Sequence, residues 1–229
     1  MSREAAPDKE VVNRCLVALS DALPNKRCLL LDGAACNSVE AVRACPIQRL
    51  AAEDVVVPNV CTSTYLSIEE GRQCNAYHGS ARAYMDTHPE DRFGLIYLDY
   101  CCRLRAGLGS AVERSPVCDL ESLFGYGIPD PRGCILAVCL CKEDPGSPCD
   151  AAQMLKHLVA TEAARQGLVA LPHWERFSYG GNFAEVFYVA RPEHIGEMMA
   201  HHEALRGVAD MREAAGTREA FDGTVNVIY

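Results

Sequence analysis

Long apolar runs are missing from this chain: nothing in it approaches the roughly eighteen uninterrupted apolar residues that a membrane-spanning helix needs. Basic charge is short as well. The 22 Lys and Arg stand against 31 Asp and Glu, for a net charge of −9. That balance argues against bulk binding to a phosphate backbone, which requires a basic surface. No Gly-x-Gly-x-x-Gly follows any apolar run, so the fingerprint of a nicotinamide dehydrogenase is missing. No Cys-x-x-Cys pair occurs and no Cys/His set has finger spacing, which leaves no structural zinc motif. The opening residues, Met1 to Glu10, are polar and charged and do not resemble a secretory leader. Internal repeats and low-complexity segments are absent too.

Cysteine, by contrast, is abundant, with thirteen in 229 residues. The count is odd, and Cys134, Cys139 and Cys141 sit inside an apolar run, where thiols act as small hydrophobes. The expectation is a reduced, cytoplasmic protein with no metal. Strand alternation places Cys139 and Cys141 on one face, which makes no more than half a metal site. With 49% hydrophobic and 23% charged residues, the composition is ordinary for a globular domain.

Along the chain, apolar residues at Val11, Val12, Cys15, Leu16, Leu19 and Leu23 predict a helix over Asp8 to Leu23. Short strands follow at Cys28 to Leu31, at Val55 to Val57 (stopped by Pro58-Asn59), at Cys74 to His78 and at Phe93 to Leu98. Gly133 to Leu140 is continuously apolar, as in a strand covered on both faces. Helices are predicted over Ser38 to Ala52 with a break at Pro46, after Thr64, over Ser80 to Thr87, over Asp119 to Phe124, and over Ala151 to Gln166. Two strand-like runs, Val169 to Tyr179 and Phe183 to Ala190, are joined by Gly180-Gly181-Asn182, a hairpin signal. Pro192 to Tyr229 reads as one or two helices and a short extended tail.

This order predicts an α/β fold: a doubly wound, mostly parallel sheet, helices on both faces, and a C-terminal antiparallel hairpin. The expected organisation is an N-terminal helix (1–27), an α/β domain (28–191), and a helical C-terminal extension (192–229) packed on that domain. Two strands end in an acid, at Cys28-Leu-Leu-Leu-Asp32-Gly33 and at Phe93-Gly-Leu-Ile-Tyr-Leu-Asp99-Tyr100. Open α/β sheets bind ligands just outside such strand ends, so Asp32 and Asp99 are expected to share a cleft.

From Cys28 to Arg191 the element order resembles that of the class I S-adenosylmethionine-dependent methyltransferases. Asp32-Gly-Ala-Ala-Cys-Asn-Ser38 matches the acidic start and first glycine of that family's glycine-rich loop, with Ala34, Ala35 and Cys36 replacing later glycines. Asn59 takes the place of the acid that ends strand two, and His78-Gly79-Ser80-Ala81 the place that borders adenine. Asp99-Tyr100-Cys101 shares only its leading Asp with the Asp-Pro-Pro-Tyr motif of amino-methylating enzymes. The resemblance implies S-adenosylmethionine as cofactor, framed by Asp32, Gly33, Asn59, Ser80 and Ala81. Asp99 and Tyr100 would then face the reacting methyl.

Competing chemistry is thinner. A thiolate at Cys101 or Cys102 would need His78 or His173 brought near by folding. His201-His202 reads as a solvated helix face. The alternative function is a catalytically inactive, methyltransferase-like binding or scaffold protein. A protein partner would then cover an exposed apolar patch.

Overall fold

The computed structural model of the chain describes residues 7–44, 50–71, 73–100, 102–104, 115–142, 150–173, 177–179, 181–200 and 203. Pro46, Cys101, Gly180, His201, His202 and the tail Thr224 to Tyr229 lie outside the described residues, as does most of the Lys142 to Asp150 loop.

Apolar continuity sets the centre of the sheet. β5 (Cys134–Cys141) has seven of its eight residues buried. Its neighbours are the parallel β4 (Leu95–Asp99) and the antiparallel β8 (Asn182–Ala190). β1 (Cys28–Leu30) is short and wholly buried between β4 and β2 (Val55–Asn59), and β3 (Asn75–His78) forms one edge. On the far side, β6 (Val169–Pro172) and β7 (Phe177–Tyr179) both pair with β8. The spatial order is β3-β2-β1-β4-β5-β8-β6, with β7 also on β8. The first five strands are parallel and the hairpin antiparallel, as the sequence predicts.

Three boundaries differ from the sequence reading. β2 runs through Pro58, which pairs with Tyr77. Because β1 ends at Leu30, Pro58 has no ladder neighbour on that flank, and its missing N–H costs no hydrogen bond there. The expected single strand Val169 to Tyr179 is two pieces. Leu171 faces Tyr188 but Phe177 faces Ala184, so this side holds two more residues than β8 does over the same interval. The expected helix from Ser38 is the shorter α2 (Asn37–Arg43), with a 3₁₀ turn, Ala52–Asp54, ahead of β2.

Period-two alternation divides the core into two layers. Leu136, Val138 and Leu140 of β5 face α4 (Ala81–Thr87), α5 (Pro116–Gly125) and α6 (Ala151–Arg165) in one cluster. Ile135, Ala137 and Cys139 face the other cluster, which contains Val12, Leu16, Leu19 and Leu23 at and after α1 (Pro7–Ser20), Val39 and Val42 of α2, and Ile68 of α3 (Thr62–Gly71). Residues 192–200 form a further helix, α7, whose Ile195, Met198 and Met199 join this second layer.

Local chemistry fixes the helix ends. Ser80 accepts a hydrogen bond from the Ala83 amide at the start of α4, and Asp150 accepts from the Ala152 and Gln153 amides at the start of α6. Gly167, at φ 69°, takes the left-handed conformation just past α6. At Gly94 a Cβ would lie 1.8 Å from the Asn25 carbonyl oxygen, so only glycine lets that loop pass beside β4.

Candidate functional site

The strand order reverses between β1 and β4, the position where open α/β sheets form a crevice beyond their carboxyl ends. Asp32 follows β1 and Asp99 ends β4, so the two carboxylates stand on adjacent strands at that crevice.

Asp32 is buried and works locally. One oxygen accepts from the Gly33 amide at 2.9 Å, the other from the Ser38 and Val39 amides at 2.8 and 3.0 Å. It thereby holds the start of α2, whose N-cap Cys36 has no side-chain cap bond of its own. Burial lifts the Asp32 carboxyl above the ordinary range, while the Val39 amide, the Lys9 cation and the Gly33 and Ser38 amides pull it down. Cys36 itself sits at φ 52°, a left-handed conformation that glycine adopts without strain. The loop thus makes a turn suited to glycine with a cysteine. Gly33, Ala34 and Ala35 are exposed, and a Cβ on Gly33 would meet nothing within 4 Å.

Asp99 pairs with Lys9 from the first turn of α1, Nζ to Oδ2 at 2.5 Å. Burial alone would lower the Lys9 ammonium's pKa, but the charges of Asp99 and Asp32 and the Asp99 hydrogen bond together raise it. Neither the β4 pattern nor the α1 periodicity signals this contact.

Asn59 bridges outward from there. Its Nδ2 donates to the Asp32 carbonyl at 3.1 Å, and its Oδ1 accepts from the Cys61 amide at 2.9 Å. The Gly79 amide donates to the Asn59 carbonyl, which ties the end of β3 to the end of β2. Ser80 follows as the α4 cap, and Ala81 is buried in the core behind it. Asp99, Lys9, Asp32, Gly33, Asn59, Gly79 and Ser80 therefore form a continuous arc along the carboxyl ends of β4, β1, β2 and β3.

Tyr100 does not join that arc. Adjacent strand residues point to opposite faces, so Tyr100 turns into the α5 layer while Asp99 meets α1. The Tyr100 ring is buried and its hydroxyl donates to Asp119 Oδ2 at 2.8 Å. Burial pushes the Asp119 carboxyl up to about 6, against the pull of Tyr100 and Arg82. Its other oxygen, Oδ1, is buried with no hydrogen-bond partner.

The arc's outer wall adds Tyr65, Thr62 and Cys61, which motif reading missed, around His78. The His78 ring stacks on Tyr65 at 5.0 Å and contacts the Thr62 hydroxyl at 3.2 Å. Cys61, ahead of α3, is exposed, and the Ser63 hydroxyl, with the Thr64 hydroxyl and amide, brings its thiol down to about 6. A cysteine before a Thr-Ser-Thr helix start was the available signal. Of the histidines weighed as thiolate partners, His173 is buried with its Nδ1 2.8 Å from the Tyr188 hydroxyl, and His78 contacts Thr62. Among the described residues no three His, Cys, Asp or Glu side chains gather as a metal site.

No family model matches the chain, and no curated protein sequence is similar to it. Solved structures do match its backbone. Trm1 from Pyrococcus horikoshii, in complex with S-adenosyl-L-methionine, superimposes with a TM-score of 0.54 at 15% identity, over 86% of this chain and 59% of that one. An O-methyltransferase from Bacillus cereus, in complex with SAH, gives 0.54 at 12% identity, over 83% and 84%. The plantazolicin methyltransferase BamL, in complex with a triazolic desmethylPZN analog and SAH, gives 0.54 at 9% identity, over 80% and 84%. The chain has the class I methyltransferase fold. It spans about three-fifths of the length of Trm1. Within the methyltransferase fold, the arc described above occupies the carboxyl edge of the parallel strands. No helix among the described residues is long and apolar enough to cross a membrane.

Proposed function

We propose that the chain is an S-adenosylmethionine-dependent methyltransferase that holds its cofactor along the arc from Asp99 to Ser80. The observation that carries this reading is the open backbone at Gly33, beside Asp32 and Asn59, at the point where the strand order reverses. Exposed Gly33, Ala34 and Ala35 give the methionine end a close approach to the main chain despite the missing glycines. In this reading Asn59, held by the Asp32 carbonyl and the Cys61 amide, meets the ribose, and the Gly79-Ser80 turn borders the base, with Ala81 buried behind it. S-adenosylmethionine supplies an electrophilic methyl group on its sulfonium.

The protein's share of such a transfer is to position the acceptor and exclude water. Asp99 is the carboxylate that orients an amine or hydroxyl acceptor and takes its proton. Tyr100 is a positioning residue in this reading, since its bond to Asp119 anchors the end of β4 to α5. Ligands in similar structures, S-adenosyl-L-methionine in Trm1 and SAH in the Bacillus cereus enzyme, support the choice of cofactor.

A second reading, a catalytically inactive methyltransferase-like scaffold, is favoured by one observation: the acidic side chains of the arc are already engaged, Asp99 by Lys9 and Asp32 by the α2 amides. Calorimetric titration of the reduced protein with S-adenosylmethionine and S-adenosylhomocysteine separates the two. Micromolar binding that disappears in Gly33→Leu, a change with open space around it, supports the methyltransferase. No heat from folded wild-type protein moves the assignment to the scaffold.

A further inference from the structure

α1 lies across one face of the sheet, with its carboxyl end near the start of β5 and its amino end at the opposite, ligand-binding edge. The helix is held by apolar contacts from Val12 onward, whereas Val11 is 55% exposed. Its first turn is tied to the sheet edge by charge: Lys9 reaches Asp99 at 2.5 Å and is attracted by Asp32 across the crevice. The Lys9 side chain retains 22% exposure and that of Asp99 15%, so the pair is mostly withdrawn from water yet reachable. An ammonium on the first turn of a helix is also unfavourably placed against the helix dipole, so the helix itself does not favour it there.

We propose that Lys9 is a charge latch, holding the first turn of α1 across the crevice through Asp99 until a cationic ligand displaces it. The ligand part of this inference rests on the cofactor reading above. Exchanging one cation for another keeps Asp99 compensated, whereas simply removing Lys9 leaves a partly buried carboxylate without its partner. The latch therefore discriminates by charge. S-adenosylmethionine, with its sulfonium, replaces the ammonium, and S-adenosylhomocysteine, with a neutral thioether on the same frame, does not.

The test uses the full chain as wild type, Lys9→Gln and Lys9→Arg, with two readouts. Amide hydrogen exchange is read at Val11 to Arg14, whose helical acceptors are the carbonyls of the first turn. Affinity for S-adenosylmethionine and S-adenosylhomocysteine is read by calorimetry. Lys9→Gln is expected to speed that exchange several-fold and to tighten S-adenosylmethionine about fivefold, the scale of a partly exposed ion pair. S-adenosylhomocysteine should change less, and Lys9→Arg, which keeps the charge, should stay near wild type. Unchanged exchange in Lys9→Gln, or equal shifts for the two ligands, would overturn the latch. Faster exchange with no heat from either ligand would instead overturn the cofactor reading and keep the latch.

Discussion

Asp119 makes the sharpest test of the buried chemistry beneath the crevice. Its carboxyl is 3% exposed and lifted from an ordinary value of 3.8 to about 6, chiefly by burial, with the Tyr100 hydroxyl and the Arg82 cation opposing. Below both values the folded and unfolded chains are equally protonated at this site. As pH rises through the window from about 4 to 6, the unfolded chain gives up the proton first and stability falls. At 1.36 kcal/mol per unit the full loss is about 3 kcal/mol, of which about 2 kcal/mol falls between pH 4.5 and 7.5. Asp119→Asn keeps a carbonyl oxygen for Tyr100 but cannot ionise. Its amide hydrogens lack a ready acceptor, which costs about 1–3 kcal/mol at every pH. Only the pH dependence of the difference is therefore diagnostic. Urea unfolding of both proteins at pH 4.5, 5.5, 6.5 and 7.5 should show the variant gaining about 2 kcal/mol on wild type across the series. Parallel curves would mean that Asp119 titrates as an ordinary surface carboxylate, and the reasoning from its burial would fail.

Other outcomes follow from single contacts. Asp32→Ala strips the acceptor from the Gly33, Ser38 and Val39 amides, and should cost about 2–4 kcal/mol in urea unfolding, while Asp32→Asn, retaining one oxygen, should cost less than half of that; equal costs would remove Asp32 from the α2 start. Gly94→Ala forces a Cβ to within 1.8 Å of the Asn25 carbonyl, and should destabilise by 3 kcal/mol or more on the scale of about 1–3 kcal/mol usual for overpacking; a neutral result would show that the Asn25 loop yields freely. Cys61 should alkylate with iodoacetamide at a rate that reaches half its plateau near pH 6, read by mass spectrometry of its peptide. A midpoint near the ordinary thiol value would remove the Ser63 and Thr64 hydrogen bonds as its cause.

The frame of the fold was legible because its signals are local and repeated. Apolar runs that stop at an acid mark β1 and β4, and Gly180-Gly181-Asn182 places Tyr179 opposite Asn182. Period two separates Asp99, which meets α1, from Tyr100, whose hydroxyl meets Asp119 beside α5. A proline stops a strand only where a neighbouring strand asks for its N–H, and at Pro58 the length of β1, which no local pattern reveals, decides that. The Lys9–Asp99 pair left no sequence signal at all. It joins residues from opposite ends of a long stretch of chain, and helical periodicity says nothing about a charge at the helix start. Cys36 stands where the resemblance expects a later glycine, and its backbone takes the left-handed conformation that glycine favours.

The strand order also governs how the chain assembles during synthesis. β1 carries the Cys28–Leu30 segment, and its second neighbour is β4, where Leu30 meets Tyr97. A chain growing from its amino end can set β2 beside β1, but the other flank of β1 stays bare until Asp99 has left the ribosome. Through that interval a short, wholly apolar edge is open to any strand that passes, the situation that invites mispairing and aggregation. The late closure of distant parallel strands also predicts slow folding compared with a helical protein of this size. Truncations that end before β4 should accordingly collect in the insoluble fraction.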